Sequence, residues 1–293
     1  MNNVVKLMLK QYPDLGDDRA KENALKEISQ NIILLGLQRA NFFEKTAFYG
    51  GTALRILYGL ERFSEDLDFC LLKIDENFSL LPYFDSIEKE LSLYGFSAEL
   101  TIKEESSNSP RASAFVKQST QQSLLSIGFS DSNIQKNQTL KIKLEVDKTN
   151  PDGARFEKKL VQLPVPFLIN TLEESSLFAG KLHAIIARTF ATRVKGRDFF
   201  DFLFYCSRGT KVNIKYLEAK LIDSGHLKGE AGCLSMPGLQ ELLSARIENV
   251  NFDRAREDVA RYISPADKDS IHHWDKELFL AISANLEADD GGD

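Results

Sequence analysis

Two short stretches of sequence decide the fold. The first reads TAFYGGT (residues 46–52) and the second reads DLDFCLL (residues 66–72). Each contains a short apolar run, which predicts a β-strand. The Gly-Gly pair that ends the first run predicts a tight turn. Residues 52–58 predict a short helix with a threonine at its cap position. We therefore expect a strand, a glycine turn, a helix and a second strand, in that order.

The glycine turn and the acidic strand carry the chemistry. Gly50 and Gly51 expose backbone N–H groups at a helix start, where these groups and the Thr52 hydroxyl can hold a phosphate. Residues i and i+2 of a strand point to the same face, so Asp66 and Asp68 place two carboxylates side by side. A divalent cation relieves their repulsion, and Mg²⁺ prefers such ligands and shares them with substrate phosphates. The pattern favours phosphoryl or nucleotidyl transfer.

A third carboxylate is expected from a neighbouring strand, because a two-metal site needs one. Residues 139–147 alternate between apolar and polar side chains and predict such a strand. Glu145 and Asp147 share one face of it with Lys141 and Lys143. Either carboxylate can complete the metal site, and the alternative is that the whole face is the exposed side of an edge strand.

Charged residues in two later helices are further candidates. Lys181 and Arg188 lie two turns apart in the predicted helix 171–192 and suit a triphosphate or a polynucleotide backbone, unless they form a solvated face. Asp198 opens the next helix, where it can serve the helix dipole or hold Lys181 in place. Asp198 and Asp201 share a face that is either structural or part of the site.

The rest of the chain divides into a mixed half and a helical half. Its 293 residues suggest two domains. We expect residues 1–165 to form an α+β domain and residues 166–293 a helical one, joined by an extended, proline-containing connection over 151–166. The remaining predicted elements are helices over 17–45, 79–95, 198–207 and 213–223 and strands over 97–103, 112–118 and 123–129.

The composition excludes several classes of protein. The chain is 43% hydrophobic and 10% aromatic, enough to bury a sizeable core, so general disorder is excluded. The longest apolar run spans only residues 32–37, whereas a membrane-spanning helix needs roughly 20 apolar residues. Three widely spaced cysteines do not make a disulfide framework or a zinc site. The first residues lack the apolar segment of a signal peptide, and we expect a cytoplasmic protein.

Charge is distributed unevenly. The net charge of −6 is not that of a protein that coats nucleic acid. Residues 181–215 nevertheless carry eight basic and two acidic side chains, and residues 253–293 carry five basic and eleven acidic ones. We expect the first segment to steer a nucleic-acid acceptor and the second to form an acidic face.

Both groups of candidate residues lie in motifs that resemble one family. The motifs are GGTALRxxYG (50–59), RFSEDLDF (62–69), LFAGKLHA (177–184) and KGRDFFD (195–201). Their sequences and order resemble the AbiEii/AbiGii toxin family of the DNA polymerase β-like nucleotidyltransferase superfamily, over about residues 30–205. The distance from Thr52 to Asp66 is longer than in typical polymerase-like members and is usual for this toxin group.

The resemblance implies a fold and an activity. The fold is α+β, a polymerase-β-like mixed sheet with flanking helices, followed by a helical C-terminal domain. The activity is transfer of a nucleotide from an NTP to an acceptor, dependent on Mg²⁺ or Mn²⁺. Family members are toxins paired with a separately encoded antitoxin in type IV-like systems, often in phage defence. Some relatives modify the 3′ end of tRNA.

The resemblance also implies roles for individual residues. Gly51 and Thr52 match the phosphate-binding positions, Asp66 and Asp68 the metal-binding pair, and Glu145 the third acidic position. Lys181 and Asp198 match the functional lysine and aspartate of the family and are expected to be catalytic with the three carboxylates. The residues expected to contact the nucleotide are Gly50, Gly51, Thr52, Arg55, Ser64 and Lys181.

Two other functions use the same residues. A metal-dependent nuclease would release products from RNA or DNA without any NTP. A catalytically silent binding module would keep its biological effect when Asp68 is replaced by alanine. The acceptor and the preferred NTP are not determined by the sequence.

Overall fold

A computed structural model describes most of the chain. The described residues are 2–12, 15–103, 109–126, 128–129, 138–149, 152–189, 194–230 and 232–289. They form two compact units. The first unit comprises Met1–Tyr58, Phe63–Asn150 and Lys158–Thr171. The second unit comprises Gly59–Arg62, Pro151–Glu157 and Leu172–Asp293.

The first unit is built on a mixed β-sheet. Among the described residues the sheet has seven strands in the order β3-β4-β5-β2-β1-β7-β6. β2 runs antiparallel to β1 and parallel to β5, while β4 runs antiparallel to both β3 and β5. The strands are β1 (Thr46–Tyr49), β2 (Leu67–Leu71), β3 (Ala98–Ile102), β4 (Arg111–Ser119), β5 (Thr139–Asp147), β6 (Phe156–Val161) and β7 (Phe167–Leu172).

Helices accompany the sheet and make up most of the second unit. In the first unit they are α1 (Asn3–Leu9), α2 (Asp18–Arg39), α3 (Gly50–Tyr58), α4 (Phe84–Leu93) and α5 (Thr120–Ser126). In the second unit they are α6 (Glu174–Ala187), α7 (Gly196–Ser207), α8 (Ile214–Asp223), α9 (Met236–Ile247), α10 (Phe252–Val259) and α11 (Lys276–Ser283). Short 3-10 segments span Phe42–Glu44, Leu81–Tyr83 and Pro265–His273.

Alternation along β4 and β5 separates the two faces of the sheet. Every second residue is buried, as in Val116 of β4 and Leu144 of β5, and these side chains join one apolar core with residues of α2 and α4. Burying one such side chain contributes about 1.5–3 kcal/mol. The residues between them lie on the opposite face and, apart from Phe115, are polar or charged. The sheet therefore has an inner, helix-covered face and an outer, charged face in this region.

Aromatic side chains form the core of the second unit. Phe199 and Phe202 of α7 are buried and pack against Phe279 of α11. Phe178 of α6 stacks on Tyr205 of α7, with ring centroids 4.6 Å apart. The phenylalanine-rich sequence of α7 thus holds helices together.

The predicted fold class is confirmed, and three local predictions are wrong. The first residues of the predicted strand 123–129 belong instead to helix α5. In that helix Ser123 and Leu124 are buried, and the Ser123 hydroxyl donates a hydrogen bond to Gln118 Oε1 at 3.4 Å. A short apolar run does not by itself distinguish a strand from a helix. The predicted helix 17–45 ends at Arg39, because Asn41 adopts a left-handed conformation. The predicted extended connection over 151–166 contains the strand β6, and β7 follows it directly.

Three of the predicted elements reach past the described residues. These residues are 127 of the predicted strand 123–129, 151 of the predicted connection 151–166 and 190–192 of the predicted helix 171–192. Within the described part of the chain, no helix has the length and apolar character needed to cross a membrane.

Candidate active site

The glycine turn lies directly against one carboxylate. Tyr49, the last residue of β1, pairs with Asp68 of β2, so the turn that follows β1 meets the Asp68 side chain. Gly50 has φ = +83°, a conformation that favours glycine. A Cβ atom at Gly50 would lie 2.6 Å from Asp68 Oδ2. Glycine is therefore required at this position both by the backbone and by the carboxylate.

Thr52 ties the following helix to the acidic strand. Its side chain is buried, and its hydroxyl donates a hydrogen bond to the backbone carbonyl oxygen of Asp66. This bond fixes the residue that directly precedes β2. The half-buried Gly51 and the first turn of α3 leave backbone N–H groups as donors for an anion, since the first N–H groups of a helix have no partner within it.

The strand register brings the predicted carboxylates to one place. Asp66 is exposed, directly before β2, and Asp68 is half-buried. Asp68 pairs with Glu145 of the neighbouring parallel strand, whereas Asp147 pairs with Cys70, one step further along. Neighbouring strands lie about 4.8 Å apart. Of the two alternatives left open by the sequence, Glu145 is the one beside Asp68.

Glu145 is held by two cations. Arg111 Nη1 lies 3.0 Å from Glu145 Oε1, and the Lys143 ammonium donates to Glu145 Oε2. The side chain of Glu145 is 16% exposed, those of Arg111 and Lys143 59% and 28%. Within the described residues, no three His, Cys, Asp or Glu side chains converge closely enough to hold a metal ion. The carboxylates are neighbours on the sheet, with Glu145 turned to its cations.

Arg55 and Ser64 support the loop that leads to the acidic strand. Arg55 Nε donates to Glu27 Oε2 at 2.5 Å, and its guanidinium lies 4.2 Å from the centre of the Phe63 ring. The ring of Tyr12 also stacks on the Phe63 ring. Burial, together with the negative charge of Glu27, raises the pKa of the Tyr12 phenol. Ser64 is half-buried, and its carbonyl accepts a hydrogen bond from α2.

The predicted lysine of the second unit lies in a group of five charged residues, which we call the lysine cluster. Lys181 Nζ is 2.9 Å from Asp198 Oδ1 and 2.8 Å from Asp201 Oδ2. Arg62 binds Asp201 through two parallel hydrogen bonds of 2.6 Å. Arg188, just past the end of α6, donates to Asp198. Three cations and two carboxylates leave the cluster with one net positive charge.

Burial and pairing determine the charge states in this cluster. Asp198 and Asp201 are 3% and 0% exposed. Burial alone would raise the pKa of Asp198, but Lys181 and Arg188 outweigh it and hold that pKa below its usual value. Burial alone would likewise lower the pKa of Arg62. The negative charge of Asp201 outweighs burial, so the pKa of Arg62 is raised. Lys181 is therefore a fixed, paired cation and not part of a solvated face.

Acidic partners engage part of the basic segment 181–215. Arg208 Nε lies 2.8 Å from Glu174 Oε1, and Lys211 Nζ lies 3.2 Å from Glu287 Oε2 in the acidic C-terminal segment. Arg197 lies over the Tyr262 ring, 4.1 Å from its centre. The net positive charge counted along the sequence is therefore reduced locally by residues from elsewhere in the second unit.

Two partners of the predicted site residues were not predicted. The sequence motif that contains Arg62 does not indicate what it binds, and no sequence pattern assigns a role to Arg111. Arg62 binds Asp201 over a separation of 139 residues, and Arg111 reaches Glu145 from the neighbouring strand β4. Their signal in the sequence is weak, because a basic residue near a turn or at a strand start is common on any surface.

One family profile matches most of the chain. The sequence profile of the family described as "Nucleotidyl transferase AbiEii toxin, Type IV TA system" matches residues 32–280. No curated protein matches the chain.

Three solved structures are similar to the chain. JHP933 from Helicobacter pylori is 19% identical, with 88% of this chain and 87% of that chain covered and a TM-score of 0.47. A putative nucleotidyltransferase from H. pylori is 20% identical, with coverages of 87% and 91% and a TM-score of 0.43. MenT4, a nucleotidyltransferase toxin from Mycobacterium tuberculosis H37Rv, is 15% identical, with coverages of 95% and 98% and a TM-score of 0.48.

The family assignment rests on the profile. It extends over most of the chain and includes both motif blocks, the one around the glycine turn and the acidic strand and the one around Lys181 and Asp198. This confirms the resemblance on which the nucleotidyltransferase prediction depended, and the chain belongs to the AbiEii family of nucleotidyltransferase toxins.

Proposed function

We propose that the protein transfers a nucleoside monophosphate from an NTP to the terminal hydroxyl of a polynucleotide, such as the 3′ end of a tRNA. The observation that carries this proposal is the contact of the Gly50 turn with Asp68, which itself pairs with Glu145. An anion-binding helix start and a row of carboxylates are thereby adjacent, and nucleotidyl transfer needs both.

The carboxylates are of the kind that Mg²⁺ or Mn²⁺ prefers. Asp66, Asp68 and Glu145 offer hard oxygen donors, and two of them are in register on neighbouring strands. These three residues would hold the metal once Glu145 turned away from Arg111 and Lys143. When bound, the metal would neutralise charge on the triphosphate and make the acceptor hydroxyl more acidic.

The chain's own groups would bind, orient and neutralise the reactants. Backbone N–H groups of Gly51 and Thr52 would donate to the β- and γ-phosphates. The acceptor oxygen forms a bond to the α-phosphorus, the bond from that phosphorus to the bridging oxygen breaks, and pyrophosphate leaves. A carboxylate at Asp68 takes up the hydroxyl proton. Lys181 and Asp198 are assigned catalytic roles from the family motifs, and the net positive charge of the lysine cluster suits a polyanionic substrate.

The biological setting belongs to the same proposal. Type IV membership implies a separately encoded antitoxin. We infer action in the cytoplasm, where NTPs and tRNA are available, and a role in a toxin–antitoxin or phage-defence system.

The proposal is tested by following label. Purified protein is incubated with total tRNA, Mg²⁺ or Mn²⁺, and each α-³²P-labelled NTP in turn. Wild type should label RNA, Asp68→Asn should not, and Asp147→Asn, a matched change one step along the same face, should retain labelling. RNA cleavage without NTP would replace the proposal with a nuclease. Tight NTP binding without transfer to any acceptor in a cell lysate would replace it with a binding module.

A further inference from the structure

The geometry points to the outer face of β4 and β5 as the binding surface for a single-stranded polynucleotide acceptor. This surface, which we call the β4–β5 outer face, consists of Arg111, Phe115, Lys117, Lys141 and Lys143. The inference rests on the proposed function, because it names where the acceptor of that reaction binds. It concerns residues of the first unit alone.

The strand register places these five side chains together. Lys117 pairs with Lys141, and Phe115 pairs with Lys143, so they face each other across the antiparallel pair. Side chains directly opposite on one face have their Cβ atoms about 4.5–5.5 Å apart. The residues between them in sequence, such as Val116 and Ile142, are buried on the inner face. The cations therefore share one face of the sheet, where Glu99 of β3 stands opposite Lys117 and Asp147 opposite Arg111 at its margins.

An aromatic ring lies among these cations. Lys141 Nζ is 3.6 Å from the centre of the half-buried Phe115 ring. Surfaces that bind single-stranded nucleic acid combine cations that follow the backbone with aromatic rings on which bases stack. A base that stacks on Phe115 would replace the Lys141 ammonium, and the flexible lysine stem can move that ammonium to a neighbouring phosphate.

The surface leads to the carboxylates of the proposed site. Lys141, Lys143 and Glu145 lie in a row on β5, with about 6.8 Å between successive members. Glu145 in turn pairs with Asp68. A strand bound along this row from Lys141 would bring its end to the carboxylates, as transfer to a terminal hydroxyl requires.

The two cations that hold Glu145 are accessible to a competing phosphate. Arg111 and Lys143 are 59% and 28% exposed, while the carboxylate they bind is only 16% exposed. A phosphate of the acceptor can take over one or both cations, since arginine binds phosphate and carboxylate in the same way. Acceptor binding would then free Glu145 to join Asp66 and Asp68 as a ligand.

An acidic peptide is the competing occupant. It would satisfy the lysines but would bring further carboxylates next to Asp68 and Glu145, where like charges repel. It would also offer nothing to stack on Phe115. The aromatic ring and the carboxylates at the end of the row favour a polynucleotide.

The test measures binding without NTP. A 12-nucleotide single-stranded RNA labelled at its 5′ end with fluorescein is titrated with the full chain, and anisotropy gives Kd at several salt concentrations. The Lys117→Gln/Lys141→Gln variant should bind at least tenfold more weakly. The slope of log K against log salt should fall in magnitude by about 1.4, because two phosphate contacts are lost. Phe115→Leu should weaken binding about tenfold with little change in slope.

The control changes the same charge elsewhere in the first unit. Lys73→Gln/Lys89→Gln alters two exposed lysines, one after the far end of β2 and one on α4, which packs on the inner face. It should bind the RNA like wild type. Equal losses in both double variants would overturn the inference in favour of net charge. A 12-residue poly-glutamate peptide is tested in the same way. If it binds as tightly as the RNA, and Lys117→Gln/Lys141→Gln weakens that binding, the inference is overturned in favour of an acidic protein partner.

The labelling assay separates this inference from the proposed function. Face-dependent RNA binding without any nucleotide transfer would leave the surface standing and remove the transferase. Normal transfer by Lys117→Gln/Lys141→Gln, with an unchanged acceptor KM, would leave the transferase standing and remove the surface. If Lys117→Gln/Lys141→Gln raises the KM for the acceptor and leaves the KM for NTP unchanged, both the transferase and the binding surface are supported.

Discussion

The carboxylates of the first unit (Asp66, Asp68 and Glu145) and the lysine cluster of the second unit differ in how completely their charges are paired. In the first unit, Asp66 is exposed, Asp68 is half-buried, and the cations that hold Glu145 are accessible to solvent. In the second unit, both carboxylates of the lysine cluster are buried and each binds two cations. The first arrangement can exchange its partners for a ligand, whereas the second fixes the position of Lys181. Substitutions in the first should therefore affect activity with a small loss of stability, whereas those in the second should also destabilise the fold.

The largest expected effect tests the structural side of this comparison. Asp201→Ala would leave Arg62 buried without its carboxylate partner and remove one of the two carboxylates that hold Lys181. Removing one member of a buried ion pair costs about 3–5 kcal/mol. The single tryptophan, Trp274, is buried in the second unit, so its fluorescence in urea reports the free energy of unfolding there.

An exposed pair of the same unit is the control for that measurement. Glu174→Ala removes the partner of Arg208, which is 43% exposed, and surface ion pairs contribute at most about 1 kcal/mol. If Asp201→Ala loses no more stability than Glu174→Ala, the lysine cluster is not a structural support.

The second prediction concerns Asp68, one of the carboxylates of the first unit. Asp68→Asn should lower kcat for nucleotide transfer at least about 100-fold, because catalysis loses a carboxylate where charge develops. Its free energy of unfolding should fall by less than that of Asp201→Ala, because Asp68 is half-buried whereas Asp201 is 0% exposed. Urea unfolding and the labelling assay on the same preparation give both numbers. A large loss of stability would make Asp68 a structural residue, as in the lysine cluster.

The third prediction concerns Gly50, where one substitution should lower both stability and activity. Gly50→Ala places a methyl group 2.6 Å from Asp68 Oδ2 and forces alanine to φ = +83°. We expect a loss of about 1–3 kcal/mol in the first unit, together with reduced transfer activity, because the carboxylate must move. Circular dichroism in urea should show the loss. Gly95→Ala, also in the first unit at positive φ but with open space around it, controls for backbone strain alone.

Local signals explain what the sequence could predict. Thr46–Tyr49, the glycine turn and Leu67–Leu71 are defined by short apolar runs and adjacent glycines, and all three form as expected. The choice between Glu145 and Asp147 depends on the register of β2 against β5, which alternation within one strand does not fix. The Arg62–Asp201 pair depends on tertiary packing across 139 residues, for which no local pattern exists.

The smallest expected effect is a dependence of stability on pH. The folded chain holds the pKa of Asp198 below its ordinary value because Lys181 and Arg188 outweigh the effect of burial. A carboxylate with a depressed pKa contributes stability above its unfolded pKa, about 3.9, and this contribution is lost as pH falls further. Between pH 5 and pH 3 the free energy of unfolding reported by Trp274 should therefore fall more steeply in wild type than in Asp198→Asn. Parallel curves for wild type and Asp198→Asn would mean that Asp198 gains nothing from its two cations, and the contrast between an open and a fully paired group would fail at this residue.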